Sequence, residues 1–173
     1  ISCLALGLGP GDILWTSANT FVSSSNCGIL AGAKVDFIDI DPDTLNICLI
    51  CLEKKLVEAS KKNCLHKIII PVHFAGQSCD MKRIHELSKI YGFKIIEDAS
   101  HAIGGSYRQL PVGNCRYSDI CVFSFHPVKI ITTGEGGIAL TNSKLVAEKL
   151  QKFRSHGIHS FKRKMRRRDP KEI

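Results

Sequence analysis

The feature that most constrains the fold is a regular alternation of dense apolar runs with amphipathic runs. Lys67–His73 reads KIIIPVH, a composition that predicts a strand buried on both faces of a sheet. Other strands are predicted at Ile13–Thr16, Lys34–Ile40, Phe93–Ile96 and Ile120–Phe125, and helices at Leu49–Ser60, Met81–Gly92 and Ser143–Phe153. Strands that alternate with helices predict the α/β class, as three α/β/α layers around a mostly parallel sheet.

The opening part of the chain predicts a helix end and a short helix. The apolar start is typical of a helix that ends at Gly7 or Gly9, and it lacks the basic segment and cleavage site of a signal peptide. A second helix follows, capped by Thr20 or a neighbouring residue, with Val22, Ile29 and Leu30 on its apolar side. No run of eighteen apolar residues occurs in the sequence, which argues against a membrane span.

Polar residues stand where three of the predicted strands end. His73, Asp98 and Ser124 each lie at or just past a predicted strand terminus. Ligands of open α/β sheets bind beyond the carboxyl ends of the strands. The sequence therefore predicts a binding site at this edge.

A lysine follows the last of these strands, inside Ser118–Thr141, which reads SDICVFSFHPVKIITTGEGGIALT. The run at Gly136–Thr141 is predicted to be a strand beside Ile120–Phe125. Lys129 is flanked by Val128 and Ile130, and poor solvation disfavours the charged ammonium form of a lysine. A neutral amine is the nucleophile that Schiff-base chemistry on a carbonyl needs. The alternative is an ordinary lysine in a surface loop.

Five segments together resemble one enzyme family. Ser-Phe-His-Pro-Val-Lys followed by Thr-Thr-Gly-Glu-Gly-Gly is similar to the cofactor-lysine segment of the DegT/DnrJ/StrS-type sugar aminotransferases, which are pyridoxal-phosphate enzymes of the aspartate aminotransferase fold. Asn-Thr-Phe-Val-Ser-Ser, Pro-Val-His-Phe-Ala-Gly, Glu-Asp-Ala-Ser-His-Ala and Arg-Ser-His-Gly also match, in the family's order. The resemblance implies that residues 1–157 are part of the large, pyridoxal-phosphate-binding domain of that type I fold, truncated at both ends.

The resemblance also implies roles for single residues. Lys129 would be catalytic and would hold the cofactor, and Asp98 would bind the pyridine nitrogen. Phe21 would cover the ring face, His101 would contact the 3-hydroxyl group, and Ser124 would hydrogen-bond the phosphate. Taken without the family, Asp98 fits a turn or helix-cap acid and Phe21 fits ordinary core packing.

Two histidines are weaker candidates for the substrate side of the site. His126 lies between Ser124 and Lys129, and the equivalent residue of relatives faces the substrate. His73 lies in a matching segment without an assigned role.

The activity that the resemblance implies is transfer of an amino group, from glutamate, to the 4-keto carbon of a UDP-linked deoxysugar through a Schiff base on Lys129. Pro-Val-His-Phe-Ala-Gly and Arg-Ser-His-Gly favour the branch that makes UDP-4-amino-4,6-dideoxy-N-acetyl-β-L-altrosamine for pseudaminic acid, a branch of polysaccharide biosynthesis. Related sugar dehydratases carry histidine in place of the lysine, so Lys129 argues against them. A cytoplasmic homodimer is implied for the full-length enzyme.

An inactive remnant with a binding or regulatory role is the competing hypothesis. The family's Ser-Gly-Thr phosphate turn and its smaller C-terminal domain have no counterpart in this sequence. Relatives are also much longer, and they complete each site with residues of a dimer partner.

The positive charge is concentrated in the last sixteen residues. The chain has a formal net charge of +8. Residues 158–173 contain seven of the 24 Lys and Arg residues and two of the 16 Asp and Glu residues, which leaves a net charge of +3 for the remainder. Such a run can bind nucleic acid or an anionic membrane. The interpretation we favour is a solvated, disordered tail, with no nucleic-acid or membrane partner.

The eight cysteines predict reduced side chains of a cytosolic protein, because most lie in apolar contexts. Cys48 and Cys51 form a C-x-x-C pair that Cys64 and His66 follow, and the alternative function for these four residues is zinc binding. A second C-x-x-C is lacking, and the first pair is flanked by apolar residues. We therefore expect structural cysteines and no metal.

Overall fold

The fold is built around a six-stranded sheet, seen in a computed structural model that describes residues 1–62 and 67–158. The strand order is β2-β1-β3-β4-β7-β8, with every neighbouring pair parallel except β7 and β8. The sheet strands are β1 (Ile13–Ser17), β2 (Lys34–Ile38), β3 (Ile68–Ile70), β4 (Lys94–Asp98), β7 (Ile120–Ser124) and β8 (Gly137–Leu140). Two short strands, β5 (Ser106–Tyr107) and β6 (Leu110–Pro111), form a separate hairpin.

Helices cover both faces of the sheet. They are α1 (Ser2–Ala5), α2 (Ser23–Leu30), α3 (Leu49–Lys61), α4 (Met81–Tyr91) and α5 (Lys144–Arg154). Alternate residues along each strand point to opposite faces. Trp15, Ile69 and Ile95 pack in one core cluster with α3 and α4, whereas Leu14, Ile68 and Ile96 pack in another with α1 and α5. The predicted three-layer α/β/α arrangement is confirmed.

Strand β3 is shorter than the sequence predicts. The prediction was Lys67–His73, but the ladder covers only Ile68–Ile70. Pro71 follows at once and has no N–H to donate to a ladder. The chain then returns to the sheet as a single bridge between Val72 and Asp98. This return holds the segment around His73 beside the end of β4.

The prediction for α2 was wrong about which side of the helix is buried. Val22, Ile29 and Leu30 were expected to face the core, but they are 54%, 62% and 87% exposed. The buried residues of the helix are Ser24, Ser25 and Gly28. A Cβ atom on Gly28 would lie 2.7 Å from the Cγ2 atom of Val35, so only a face of small residues can approach the sheet this closely.

The cap of α2 also differs from the prediction. Val22 occupies the N-cap position, and no side chain caps the helix. The Thr20 hydroxyl instead donates a hydrogen bond to the Ser24 hydroxyl at 2.9 Å. Thr20 therefore connects the loop before α2 to the buried face of the helix.

Replacing Gly28 with valine is expected to destabilise the protein. The added atoms would overlap Val35 and Leu14, and overpacking of this kind costs about 1–3 kcal/mol. Urea unfolding measures the loss. Gly9→Ala is the control, because a Cβ at Gly9 meets nothing within 4 Å. Combining Gly28→Val with Val35→Ala should recover part of the stability; equal stability of Gly28→Val and the wild type would contradict the close approach.

The C-terminal end of the described chain lies just beyond α5. Residues 159–173 lie outside the described residues, so the prediction of a disordered basic tail at 158–173 is not tested beyond Ile158. Within residues 1–62 and 67–158, no helix is both long and apolar enough to span a membrane.

Candidate active site

A cavity of about 530 Å³ opens at the carboxyl edge of the sheet. We call it the lysine cavity. It is lined by residues at or just after the ends of β1, β3, β4 and β7, and by two residues just before β8. All the residues singled out in the sequence line it: Phe21, His73, Asp98, His101, Ser124, His126 and Lys129. The remaining lining residues are Asn19, Thr20, Val72, Phe74, Ser100, Val128, Glu135 and Gly136.

Lys129 reaches this cavity from the loop that joins β7 to β8. Its backbone N–H donates to the carbonyl of His126 at 2.9 Å, which closes a tight turn directly after the strand. The side chain is partly buried between the exposed residues Val128 and Ile130. The Nζ atom lies 2.9 Å from Nε2 of His101. The amine is therefore held in the cavity by a partner that arrives from the end of β4.

Asp98 is the last residue of β4, and its carboxylate is fixed by two serines. Oδ2 accepts a hydrogen bond from the Ser24 hydroxyl at 2.7 Å, and Oδ1 accepts from the Ser100 hydroxyl at 2.6 Å and the Ser100 N–H at 3.2 Å. Hydrogen bonds to a carboxylate stabilise its negative charge. Two carboxylate oxygens have about four acceptor positions, so Asp98 can still accept a bond from a ligand in the cavity.

Ser124 and Phe21 line the lysine cavity from different elements. Ser124 ends β7, and its hydroxyl accepts a hydrogen bond from the His126 N–H at 3.4 Å. Phe21 precedes α2 and is 72% exposed, so its ring is not part of the hydrophobic core. The core-packing alternative for Phe21 is therefore wrong, and its ring is available to cover a ligand.

His126 lies at the outer side of the cavity with a glutamate nearby. Its side chain is about half exposed, and Nε2 lies 4.0 Å from Oε1 of Glu135. Nδ1 accepts from the N–H of Val128 at 3.4 Å. Both His126 and Glu135 line the cavity and can meet a second molecule that enters it.

His73 is built into the floor beneath the cavity. Its side chain has no exposed surface, and Nε2 lies 2.9 Å from Oε2 of Glu97. Nδ1 accepts from the N–H of Cys79 at 3.2 Å, so the ring proton lies on Nε2 and is donated to Glu97. Glu97 also accepts from the Ser118 hydroxyl. Both ring nitrogens are thus engaged within the protein, which favours a supporting role for His73 over substrate binding.

Replacing His73 with alanine is expected to lower the free energy of unfolding by about 1–3 kcal/mol, because it removes a buried hydrogen-bond donor to Glu97 and leaves that side chain with Ser118 alone. Urea unfolding monitored by Trp15 fluorescence gives this value. His126→Ala is the control, since that side chain is half exposed and its loss should change stability by less than about 1 kcal/mol. Similar stabilities for the two variants would contradict the supporting role.

Sequence reasoning missed the two serines that hold Asp98. Ser100 lies two residues after Asp98 within a segment that was already singled out, so the short spacing was a usable signal. Ser24 is 74 residues away in the chain. The only sequence signal for Ser24 is the polar run Ser23-Ser24-Ser25, which indicates that α2 can present hydroxyl groups to the interior.

Metal binding gains no support from the described part of the chain. Within it, no group of three or more His, Cys, Asp or Glu side chains is arranged to hold a metal ion. Cys64 and His66 lie outside the described residues, so the zinc alternative stays untested.

The geometry defines a class of protein: an α/β domain with a small-molecule site beyond the strand ends, equipped with a lysine amine, a fixed carboxylate and an aromatic ring. The chain belongs to the DegT/DnrJ/EryC1/StrS aminotransferase family, whose sequence profile matches residues 1–169.

Individual relatives agree with this assignment. A curated UDP-4-amino-4-deoxy-L-arabinose–oxoglutarate aminotransferase of Shewanella sediminis is 38% identical over 169 residues, which are 96% of this chain and 41% of that protein. A crystal structure of a family aminotransferase from Brucella abortus superposes with a TM-score of 0.87 at 30% identity, covering 96% of this chain and 44% of that one. Helicobacter pylori PseC, an aminotransferase involved in pseudaminic acid biosynthesis, superposes with a TM-score of 0.81 at 31% identity. This superposition covers 95% of this chain and 44% of PseC.

The chain thus spans less than half the length of these relatives. The fold agrees with the predicted large domain of the aspartate aminotransferase type, because the superpositions cover nearly all of this chain.

Aminotransferases of this family use pyridoxal phosphate, and the residues of the lysine cavity fit that cofactor. An aldehyde needs an amine, a pyridinium nitrogen needs a carboxylate, and a flat ring needs an aromatic or apolar wall. Lys129, Asp98 and Phe21 supply these groups within one cavity. The cavity volume of about 530 Å³ also lies within the range of roughly 300–1,000 Å³ that is usual for small-molecule and cofactor sites.

Proposed function

We propose that this chain is the cofactor-binding part of a pyridoxal-phosphate-dependent sugar aminotransferase. The observation that carries the proposal is the meeting of Lys129 and Asp98 in one cavity, since Asp98 ends β4 and Lys129 lies in the loop after the neighbouring strand β7. Either residue alone has an ordinary structural explanation. A lysine and a carboxylate that face the same space at the ligand-binding edge are what this chemistry requires.

Pyridoxal phosphate, when bound, supplies an aldehyde that takes up an amino group and a ring that accepts electrons. Lys129 provides the Nζ nucleophile that holds the aldehyde, and the same atom moves the proton at the α-carbon of the amino donor. His101, 2.9 Å from Nζ, orients the amine, and it is the residue we propose to contact the 3-hydroxyl group.

Asp98 would hold the pyridine nitrogen, and its carboxylate would favour the protonated form of that nitrogen. Its negative charge is fixed in position by Ser24 and Ser100, so no rearrangement is needed when charge develops on the ring. Ser124 binds the phosphate through its hydroxyl group. Phe21 would cover one face of the ring and exclude water from it.

The substrate we propose is a UDP-linked 4-keto deoxysugar, with glutamate as the amino donor. The Shewanella relative is named for a UDP-linked 4-amino sugar and for oxoglutarate, the keto acid that glutamate leaves behind when it gives up its amino group. Within this class we propose the altrosamine-forming branch, on the two segments that resemble it and on the likeness to PseC. His126 and Glu135, on the outer side of the cavity, are the residues proposed to meet the sugar. We propose a cytoplasmic homodimer for the full-length enzyme.

The inactive remnant is the second hypothesis, and the family match does not favour it. Its own prediction is that the chain neither binds the cofactor nor transfers an amino group. The amino-transfer experiment described next separates the two hypotheses.

The test is amino transfer from ¹⁵N-glutamate to a panel of UDP-linked sugars, with products identified by mass spectrometry. The panel holds the 4-keto precursors of the altrosamine and the arabinose products and a 3-keto UDP-sugar as a control. Labelled 4-amino sugar from one 4-keto substrate is the expected result. Transfer to the 3-keto sugar alone would overturn the substrate class, and a chain that neither binds the cofactor nor transfers an amino group would favour the remnant.

A further inference from the structure

Cys3 and Cys27 bring their sulfur atoms together between α1 and α2. Cys3 is 4% exposed and Cys27 is partly exposed, and the two Sγ atoms are 3.5 Å apart. Both are free thiols. We propose that they form an oxidisable dithiol site, which a low-molecular-weight disulfide converts into a disulfide between Cys3 and Cys27.

The two side chains need little movement to bond. A disulfide has an S–S length of about 2.05 Å, so the two sulfur atoms, now 3.5 Å apart, must approach each other by about 1.5 Å. Both residues also line a cavity of about 280 Å³ that opens beside them. We call it the cysteine cavity; it gives a small oxidant room to reach the sulfur atoms.

The two thiols are not equivalent, and their difference sets the order of reaction. The Cys3 thiol donates a hydrogen bond to the sulfur of Cys27. This bond lowers the pKa of Cys27 and raises that of Cys3. The thiolate is the attacking form of cysteine, so Cys27, which is also the more exposed of the two, reacts first.

The reaction balances as two exchanges with one oxidant molecule. The Cys27 thiolate attacks one sulfur of the small disulfide, forms a mixed disulfide and releases the first small thiolate. Cys3 then attacks the Cys27 sulfur and releases the second. The two cysteines lose two electrons in total, the oxidant gains them, and the two thiol protons leave with the two small thiols.

The site is connected to the carboxylate of the lysine cavity through α2. The Cys27 thiol donates to the carbonyl of Ser24 at 3.4 Å, and the Ser24 hydroxyl donates to Asp98 at 2.7 Å. Asp98, Phe21, Ser100 and Ser124 line both cavities. A disulfide removes the Cys27 donor and ties α2 to α1. If the proposed function holds, oxidation should weaken cofactor binding several-fold.

Cys48 and Cys51 provide an internal reference. Cys48 caps α3 and accepts a hydrogen bond from the Cys51 N–H at 3.4 Å. These two cysteines are three residues apart, so their meeting depends far less on the tertiary fold than that of Cys3 and Cys27, which are 24 residues apart.

The test is peptide mapping after exposure of the 173-residue chain to oxidised glutathione, followed by alkylation and trypsin digestion. No lysine or arginine occurs before Lys34, so one peptide, 1–34, contains Cys3 and Cys27 and no other cysteine. The peptide 35–54 contains only Cys48 and Cys51. We expect peptide 1–34 to lose two hydrogen atoms and to escape alkylation. The ratio of the oxidation rate of peptide 1–34 to that of peptide 35–54 should fall by about tenfold or more in denaturant. The reason is that the native fold holds Cys3 and Cys27 together.

Two variants test the order of attack. Cys3→Ser should accumulate a glutathione adduct on Cys27, whereas Cys27→Ser should leave Cys3 unmodified. Cys51→Ser is the matched control and should leave oxidation of peptide 1–34 unchanged. A peptide 1–34 that stays fully alkylatable, an adduct on Cys3 in place of Cys27, or equal relative rates with and without denaturant would overturn the proposal. These readouts contain no cofactor, so they are independent of the proposed function.

Discussion

Replacing Lys129 with alanine is expected to lower amino transfer by about 10²–10⁴-fold, the contribution typical of a positioned proton-transfer group. The side chain supplies the amine of the lysine cavity, where His101 lies 2.9 Å from Nζ and Asp98 also lines the wall. Without it, the donor's α-proton has no acceptor at the position where Nζ lies. Initial rates with saturating glutamate and cofactor measure the effect.

Two controls separate chemistry from charge and folding. Lys129→Arg keeps a positive charge, but a guanidinium is not a nucleophile at neutral pH, so it should be nearly as inactive as the alanine variant. Lys89→Ala removes an exposed lysine of α4 and should transfer at the wild-type rate. Substantial activity of both Lys129 variants would contradict the assignment of this lysine.

Replacing Asp98 with asparagine is expected to lower kcat by about 10²–10³-fold, the cost of removing one preorganised charge from a site where charge develops. Asparagine keeps the size of the side chain and one acceptor for the serine hydroxyls, but it lacks the negative charge that holds a proton on the pyridine nitrogen. Because the charge acts mainly as the reaction proceeds, we expect a smaller change in KM for glutamate.

Asp43→Asn is the matched control for this prediction. Asp43 lies in an exposed turn between β2 and α3, away from the lysine cavity, and the variant should behave as the wild type. A parallel variant, Ser24→Ala, removes one of the hydrogen-bond donors to Asp98. Its kcat should lie between that of the wild type and that of Asp98→Asn. A kcat unchanged in Asp98→Asn, or a loss confined to KM, would contradict the role of the carboxylate.

Most of the sheet could be predicted from local pattern. Strands such as β4 and β7 are short β-branched runs flanked by turns or amphipathic helices, and this pattern depends on little beyond neighbouring residues. The predicted pairing of the last two strands is also confirmed, as β7 beside β8. The shorter β3 follows from Pro71, which is visible in the sequence and cannot donate a hydrogen bond to the ladder.

Helix α2 shows why periodicity alone misassigns a buried face. Its apolar residues, Ile29 and Leu30, suggested a core-facing side, whereas the real contact is made by Gly28 and two serines. The decisive quantity is the distance between the helix and strands β1 and β2. That distance depends on how the helix layer packs on the sheet, so a local sequence pattern cannot predict it.

The candidate site was predictable to the extent that motifs carry it. The strand ends and the family's segments identified the residues that line the lysine cavity. The Ser24–Asp98 bond and the His73–Glu97 pair join residues 74 and 24 positions apart, and a local pattern does not say which distant residue a polar side chain will meet. These partners determine which of the lining residues face a ligand and which support the floor.

The most direct test of the account is to trap the cofactor on the protein and locate it. The chain is incubated with pyridoxal phosphate, reduced with borohydride and digested, and the reduced adduct is mapped by mass spectrometry. We expect one dominant adduct on Lys129, a visible absorbance band that reduction abolishes, and the loss of both in Lys129→Ala. Adducts spread equally over exposed lysines such as Lys89, or a band that survives in Lys129→Ala, would contradict it.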